Sequence, residues 1–226
     1  MTTATKNRIT TNGSASHGKS TSKEVVVALQ PIQVKTFDIT IVGTSELIVH
    51  KFSEKAKKSI EDKQQKKSKQ GKEARDPRAE YLAAFYMLPD SPAPETKKAR
   101  YGIPAAGFKN AAVSACRFVD GMQMTVARGA FHVVEDAGGL IEIHSESGPY
   151  MREDTVRLSG PGNSLDLRYR PAFPDWQCTF RVRYNATVVS PEQIINLFNV
   201  AGFGVGLCEW RPEKNGSYGM FSVQMK

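Results

Sequence analysis

Four arginines recur at alternate positions in two patterned segments: Arg168 and Arg170 within 165–170, and Arg181 and Arg183 within 176–184. In the first, Leu165, Leu167 and Tyr169 alternate with Asp166, Arg168 and Arg170. In the second, Trp176, Cys178, Phe180, Val182 and Tyr184 alternate with Gln177, Thr179, Arg181 and Arg183. Period two is the pattern of a half-buried strand. If the two strands pair, the four guanidiniums share one face opposite the apolar side chains. Such a face is a platform for a phosphate backbone, with Tyr169 or Trp176 stacking bases near its edge. The alternative is that the arginines cover a solvent face beside Asp166 and Asp175.

Two further basic stretches could act on the same kind of ligand. From Lys51 to Arg78, the cations Lys51, Lys55, Lys57, Lys58, Lys63, Lys66, Lys67, Lys69, Lys72, Arg75 and Arg78 face only five acids. Almost nothing apolar lies between Ile60 and Ala74, so the stretch has no face to bury. It reads as an exposed helix or loop projecting from the fold, either a solvated surface or a clamp that orders on a nucleic acid. Near the C-terminus, Gly202-Phe203-Gly204-Val205-Gly206 leads to Arg211 and Lys214. Glycines there let a backbone approach a ligand and present N–H groups to phosphate, with Gly204 and Gly206 as the candidates. The other reading is a tight crossover that simply needs glycine. No Gly-Lys-Ser/Thr follows, so this is not a nucleotide-binding P-loop.

The search for an enzyme finds little. His17, His50, His132 and His144 show no metal-ligand spacing, and no nucleophile elbow or HExxH occurs. His50, beside Lys51 at the end of the first strand pattern, is the one place for a general acid or base of RNA cleavage. Cys116, Cys178 and Cys208 are far apart and odd in number, against a disulfide framework and against zinc. The expectation is therefore no catalytic residues, no metal and no cofactor. No apolar run approaches a membrane span and no secretory h-region opens the chain, so a cytoplasmic location is expected, in a bacterial host cell or a phage-infected cell. A net charge of +8 over 226 residues points to an anionic partner.

These groups must be positioned by a core. Residues 1–30 are polar, mildly basic through Lys6, Arg8, Lys19 and Lys23, and predicted to be disordered. Phe37, Ile39 and Ile41 alternate with Asp38 and Thr40 in a first strand, 34–42. A helix follows Pro104 over 105–119, with Phe108, Ala111, Ala112, Ala115 and Phe118 on one stripe. Tyr81, Leu82, Phe85 and Met87 dock a shorter helical segment, 79–88, that Pro89 ends. Strands are predicted at 127–134 and 140–144, joined by a Gly138-Gly139 turn, with a loop over 148–163. Ser190-Pro191-Glu192-Gln193 is a capping box for a helix carrying Ile194, Ile195, Leu197 and Phe198 and stopping at Gly202. After an Asn215-Gly216 turn comes a last strand, 218–223. The strongest elements spell βαββαβ, an α+β, ferredoxin-like (RRM-like) core with an antiparallel sheet. The rest makes two large insertions in a single domain over 31–226: a lysine-rich helical thumb at about 51–100, and a hairpin or loop at 135–175.

The segment Tyr101-Gly102-Ile103-Pro104-Ala105-Ala106-Gly107-Phe108-Lys109-Asn110-Ala111 resembles the I-P-G-S-S-x-K-G-x-x-R helix entry of the RAMP proteins, the ferredoxin-like RNA-binding subunits of CRISPR effector complexes. The stretch 202–219 is similar to their C-terminal glycine-rich loop. Ala105-Ala106-Gly107 stands in place of Gly-Ser-Ser, Asn110 in place of the next glycine, and Ser114 or Arg117 in place of the arginine. The chain also resembles proteins of tailed phages and prophages. The RAMP resemblance implies that Lys109 touches the backbone of a bound strand, that 51–100 acts as a clamp, and that copies line up along the strand. The function expected is non-enzymatic binding of single-stranded RNA or DNA, as a homo-oligomer or within a multi-subunit nucleoprotein complex, with no membrane. The alternatives are a phage structural or assembly protein that binds acidic protein partners, and a metal-independent endoribonuclease.

Overall fold

The computed structural model describes residues 31–66, 74–135, 137–158 and 164–224, without the side chains of Lys55, Ala56 and Ala137. The expected tail, residues 1–30, and Lys67, Lys69 and Lys72 lie outside the described residues.

β1 (Val34–Gly43) and β8 (Gln177–Asn185) form the centre of a four-stranded antiparallel sheet. Their register opposes Phe37 to Val182, Ile39 to Phe180 and Ile41 to Cys178, so the apolar set of each strand falls on one side. β4 (Phe131–Val134) adds to β8, and β9 (Phe221–Val223) adds to β1, giving the order β4-β8-β1-β9. For strands taken as second, third, first and fourth of a βαββαβ chain, that is the split βαβ arrangement. The fold is α+β, as the alternation and the two helix patterns implied.

The inner face of this sheet is covered by α3 (Ala105–Ala115) and α5 (Pro191–Gly204). Phe180 shows that both helices lie on the same side, because its ring is 4.8 Å from Phe108 of α3 and 5.3 Å from Phe198 of α5. The capping box is present: the Ser190 side chain accepts from the Gln193 N–H, and the Gln193 side chain accepts from the Ser190 N–H. α5 continues two residues past the predicted stop at Gly202 because that glycine serves packing. A Cβ there would stand 1.9 Å from the carbonyl oxygen of Phe221 in β9. Cys116 and Cys178 are buried free thiols, and Cys208 is a partly buried one.

Several sequence expectations need correction. The predicted strand 127–134 begins as a helix, α4 (Met124–Ala130), and only Phe131 onward is extended. Ala-Arg-Gly-Ala has little β propensity, and Ala127 and Ala130 are buried from the helix instead. β5 (Leu140–Ile143) does not form a hairpin with β4. It pairs with β3 (Tyr101–Pro104) and reaches β8 through a single bridge, His144 to Gln177. The expected loop 148–163 contains β6 (Tyr150–Arg157), paired along its length with β7 (Leu165–Phe173). β2 (Leu47–Ile48) completes that second sheet, in the order β2-β7-β6. The lysine-rich stretch forms α1 (Glu54–Gln64). α2 (Pro77–Ala83) is capped by Asp76 and ends earlier than predicted, although Tyr81 and Phe85 are buried as expected. Phe118 leaves the core stripe and is 57% exposed.

Candidate functional site

The outer face of the four-stranded sheet, on the side away from α3 and α5, carries mainly polar side chains, with Val34 and Val134 among them. On β8, burial alternates strictly, so Thr179, Arg181 and Arg183 point outward while Cys178, Phe180, Val182 and Tyr184 point in. Cross-strand register places His132 of β4 opposite Arg183, with Val134 opposite Arg181. On the other side, Thr36, Asp38 and Thr40 of β1 stand opposite Arg183, Arg181 and Thr179.

At the β4 edge of this face, three basic groups from three elements converge. Lys109 extends from α3, and its Nζ donates to the carbonyl oxygen of Arg128 at 2.8 Å and lies 3.0 Å from Nδ1 of His132. An ammonium has only donors, so Nδ1 must be the acceptor and the imidazole proton sits on Nε2. Arg183 stands across the strand pair from His132. Among the described residues, neither Lys109 nor Arg183 has a carboxylate partner. Partial burial holds Lys109 below its ordinary value. His132 is likewise lowered, first by burial and then by the charges of Lys109 and Arg183. The charges of Lys109 and Arg183 thus flank a neutral imidazole with no carboxylate partner among the described residues.

Elsewhere the predicted arginine row comes apart. β7 and β8 belong to different sheets, so Arg168 and Arg170 do not share a face with Arg181 and Arg183. Arg168 Nε contacts Asp166 at 3.3 Å. Arg170 is 2% exposed, with Nη2 donating to Asp154 at 2.9 Å, Nη1 to Glu209 at 3.2 Å, and its guanidinium over the Trp210 ring. Arg152 extends the network to Asp154, Glu46 and the Tyr218 hydroxyl. Arg181 donates to Asp38 at 2.8 Å. These are structural ion pairs, and among the described residues only Arg183 of the four stands without one. Neither expected stacking residue reaches that face. Trp176 is buried and donates to the Ser45 carbonyl, and Tyr169 lies on the second sheet beneath the Arg75 guanidinium.

The glycine-rich loop turns out to serve its own chain. Gly206 has φ +71°, and a Cβ on it would come within 2.7 Å of Pro212. A Cβ on Gly204, at the end of α5, would meet the Phe118 ring at 3.1 Å. Arg211 is held by Glu213 at 2.9 Å and by the Cys208 carbonyl, whereas Lys214 is exposed in the turn Pro212–Lys214. Between this loop and the start of α3 lies a cleft of about 270 Å³, lined by His50, Gly107, Asn110, Gly206, Glu209 and Arg211 among others. Burial is the main cause that lowers His50, and burial pushes the Cys208 thiol up to about 12, so it stays protonated at neutral pH.

The lysine-rich helix is less one-sided than its composition suggested. Lys57, Lys58 and Lys63 on α1 are interspersed with Glu54, Glu61 and Asp62, and Lys57 approaches Glu54 at 4.0 Å. Lys51 is fixed through its backbone N–H to the Ala84 carbonyl, and Lys66 follows the helix with φ 54°. The Lys55 side chain and Lys67 lie outside the described residues. Of the predicted site residues, the structure thus joins Lys109 and Arg183. It adds His132, which sequence reasoning passes over because a lone histidine in a short edge strand gives no spacing signal. Among the described residues, no group of three His, Cys, Asp or Glu side chains could hold a metal ion, and no helix is long and apolar enough to cross a membrane.

No family model matches the chain, and no curated protein matches it. Among solved structures, the chain is similar to Cmr6 from Pyrococcus furiosus, with a TM-score of 0.40 and 8% identity over 86% of this chain and 100% of that one.

Proposed function

We propose that this domain binds single-stranded RNA or DNA, without cleaving it, across the outer face of its four-stranded sheet. The observation that carries this reading is the cluster of Lys109, His132 and Arg183, basic groups gathered from separate elements with no described carboxylate to neutralise them. Three such groups on one sheet edge suit phosphate oxygens, which accept charge-assisted hydrogen bonds. The pleated face beside them is about 15 Å across, from four strands at roughly 4.8 Å spacing, and accommodates a few nucleotides of one strand. Thr36 offers a hydroxyl along it, and Thr40 and Thr179 share a hydrogen bond of 2.9 Å there. Because neither Tyr169 nor Trp176 stands on this face, binding rests on the backbone and tolerates any sequence.

The test is fluorescence anisotropy with labelled single-stranded oligonucleotides over a salt series. Tight binding at low salt is expected to fall as salt rises. The double variant Lys109→Gln, Arg183→Gln should bind more weakly. Its log–log salt slope should be shallower by about 1.4, from roughly 0.7 for each phosphate no longer neutralised. Absence of binding at low salt, or a double variant indistinguishable from the parent, removes the proposal. Intact RNA after long incubation is expected, and cleavage lost on His50→Ala would replace binding by catalysis at the cleft.

A further inference from the structure

We infer that Lys109, His132 and Arg183 form a proton-linked phosphate subsite, in which His132 takes up a proton when a nucleic-acid phosphodiester binds; this rests on the nucleic-acid reading above. The geometry carries the argument. In the free protein the Lys109 ammonium is 3.0 Å from Nδ1 of His132, an arrangement that works only while the imidazole is neutral. A proton on Nδ1 would abolish that acceptor and set a second cation against the first. The free site therefore disfavours imidazolium, and both basic groups are held below their ordinary values.

An anion reverses each of these relations. A phosphate oxygen at the cluster attracts the imidazolium and the ammonium alike, so their mutual repulsion is offset. Protonated His132 no longer accepts from Lys109, which then turns its freed hydrogen toward the phosphate while keeping the Arg128 carbonyl. Protonation thus adds a charge and releases a donor in one step, with the proton coming from solvent. Among the described residues, no neighbouring carboxylate competes for this role. β8 presents Arg183 opposite His132 and Arg181 opposite Val134, with Arg181 already held by Asp38 of β1. α3 presents Lys109, and α4 presents the Arg128 carbonyl. Glu135, which follows β4, stands instead beside Gly139. His132 is exposed, so a ligand reaches it from the open face.

The sign follows directly. His132 starts below its unperturbed value near 6.5 and rises on binding, so affinity increases as pH falls through that interval. A rise of one unit corresponds to about tenfold tighter binding below the free pKa than above the bound one. The experiment measures anisotropy of a labelled ten-nucleotide oligothymidylate at pH 5.0 and pH 8.0, with the full chain and with His132→Gln. The parent is expected to bind tighter at pH 5.0, by up to about tenfold for a one-unit rise. His132→Gln should bind equally at both, near the parent's pH 8.0 affinity. Should that variant fail to fold, NMR titration of the His132 ring in the parent, free and oligonucleotide-bound, gives the same answer through an upward pKa shift. Equal parental affinity at both pH values, a pH dependence that survives in His132→Gln, or an unmoved ring titration overturns the proton linkage and leaves the nucleic-acid reading intact. Absence of binding at either pH overturns both.

Discussion

The arginines of the second sheet and the basic cluster at the edge of the first are made of the same chemistry but are placed in opposite surroundings. Arg152 and Arg170 lie under the C-terminal loop, bound to Asp154, Glu46 and Glu209, and they hold β6, β7 and the turn around Trp210 together. His132 and Arg183 are exposed and Lys109 is half-buried, with no described carboxylate between them. A guanidinium in the first setting is already engaged by carboxylates of its own chain, through Nη1 and Nη2 in Arg170, and one in the second has its hydrogen bonds to give. On the proposed reading, what separates a structural cation from a binding one is its partner, more than its type or its place in a basic run.

The sharpest way to break this comparison is to remove a carboxylate from the buried network. Asp154→Ala leaves Arg170 buried at 2% exposure with only Glu209, 3.2 Å from Nη1. Stranding a buried charge outright costs about 3–5 kcal/mol, so with Glu209 still in place the melting temperature should fall by up to roughly 6–20 °C. Oligonucleotide affinity measured below that temperature should not change. If the variant melts with the parent but binds weakly, the two regions have been assigned the wrong way round.

A smaller loss is expected at Gly219, where the chain is stitched to Glu46 and Leu207 by backbone hydrogen bonds. Its φ is +64°, and an added Cβ would lie 2.0 Å from the Leu207 carbonyl oxygen. Gly219→Ala should cost at least about 1–2 kcal/mol from the left-handed backbone alone. Thermal unfolding reads this as a drop of at least roughly 2–8 °C. Binding should again be retained, since Gly219 is packed against the Leu207 backbone and lies outside the Lys109, His132 and Arg183 cluster.

Much of the frame is legible in the chain because its signals are local. β1 and β8 show clean alternation, and α5 announces itself by Ser190 and Gln193. β6 escapes notice because both its faces carry charge: Arg152 and Asp154 on one side, Glu153 and Arg157 on the other, so no apolar period marks it. α4 escapes because Ala-Arg-Gly-Ala gives neither pattern strongly. For the site, the cations are visible but their neutralisation is not. That Asp38 answers Arg181, or Asp154 answers Arg170, depends on cross-strand register. His132 gains meaning only once β4 lies beside Arg183 and within reach of Lys109.

The smallest expected effect discriminates most finely, because it compares two residues of one strand. Arg181 and Arg183 both project from β8 onto the open face, and Arg181 is met by Asp38 whereas Arg183 has no described carboxylate. Arg183→Gln should weaken oligonucleotide binding about tenfold at low salt, because one phosphate then goes unneutralised. Arg181→Gln should change it by about twofold at most, because a surface guanidinium already engaged by a carboxylate has little left for a ligand. Neither should shift thermal stability by more than about 1 kcal/mol, the usual limit for an exposed pair. Equal losses from the two substitutions would mean that the ligand competes Asp38 away from Arg181, and that partnership in the free protein does not decide which cations bind.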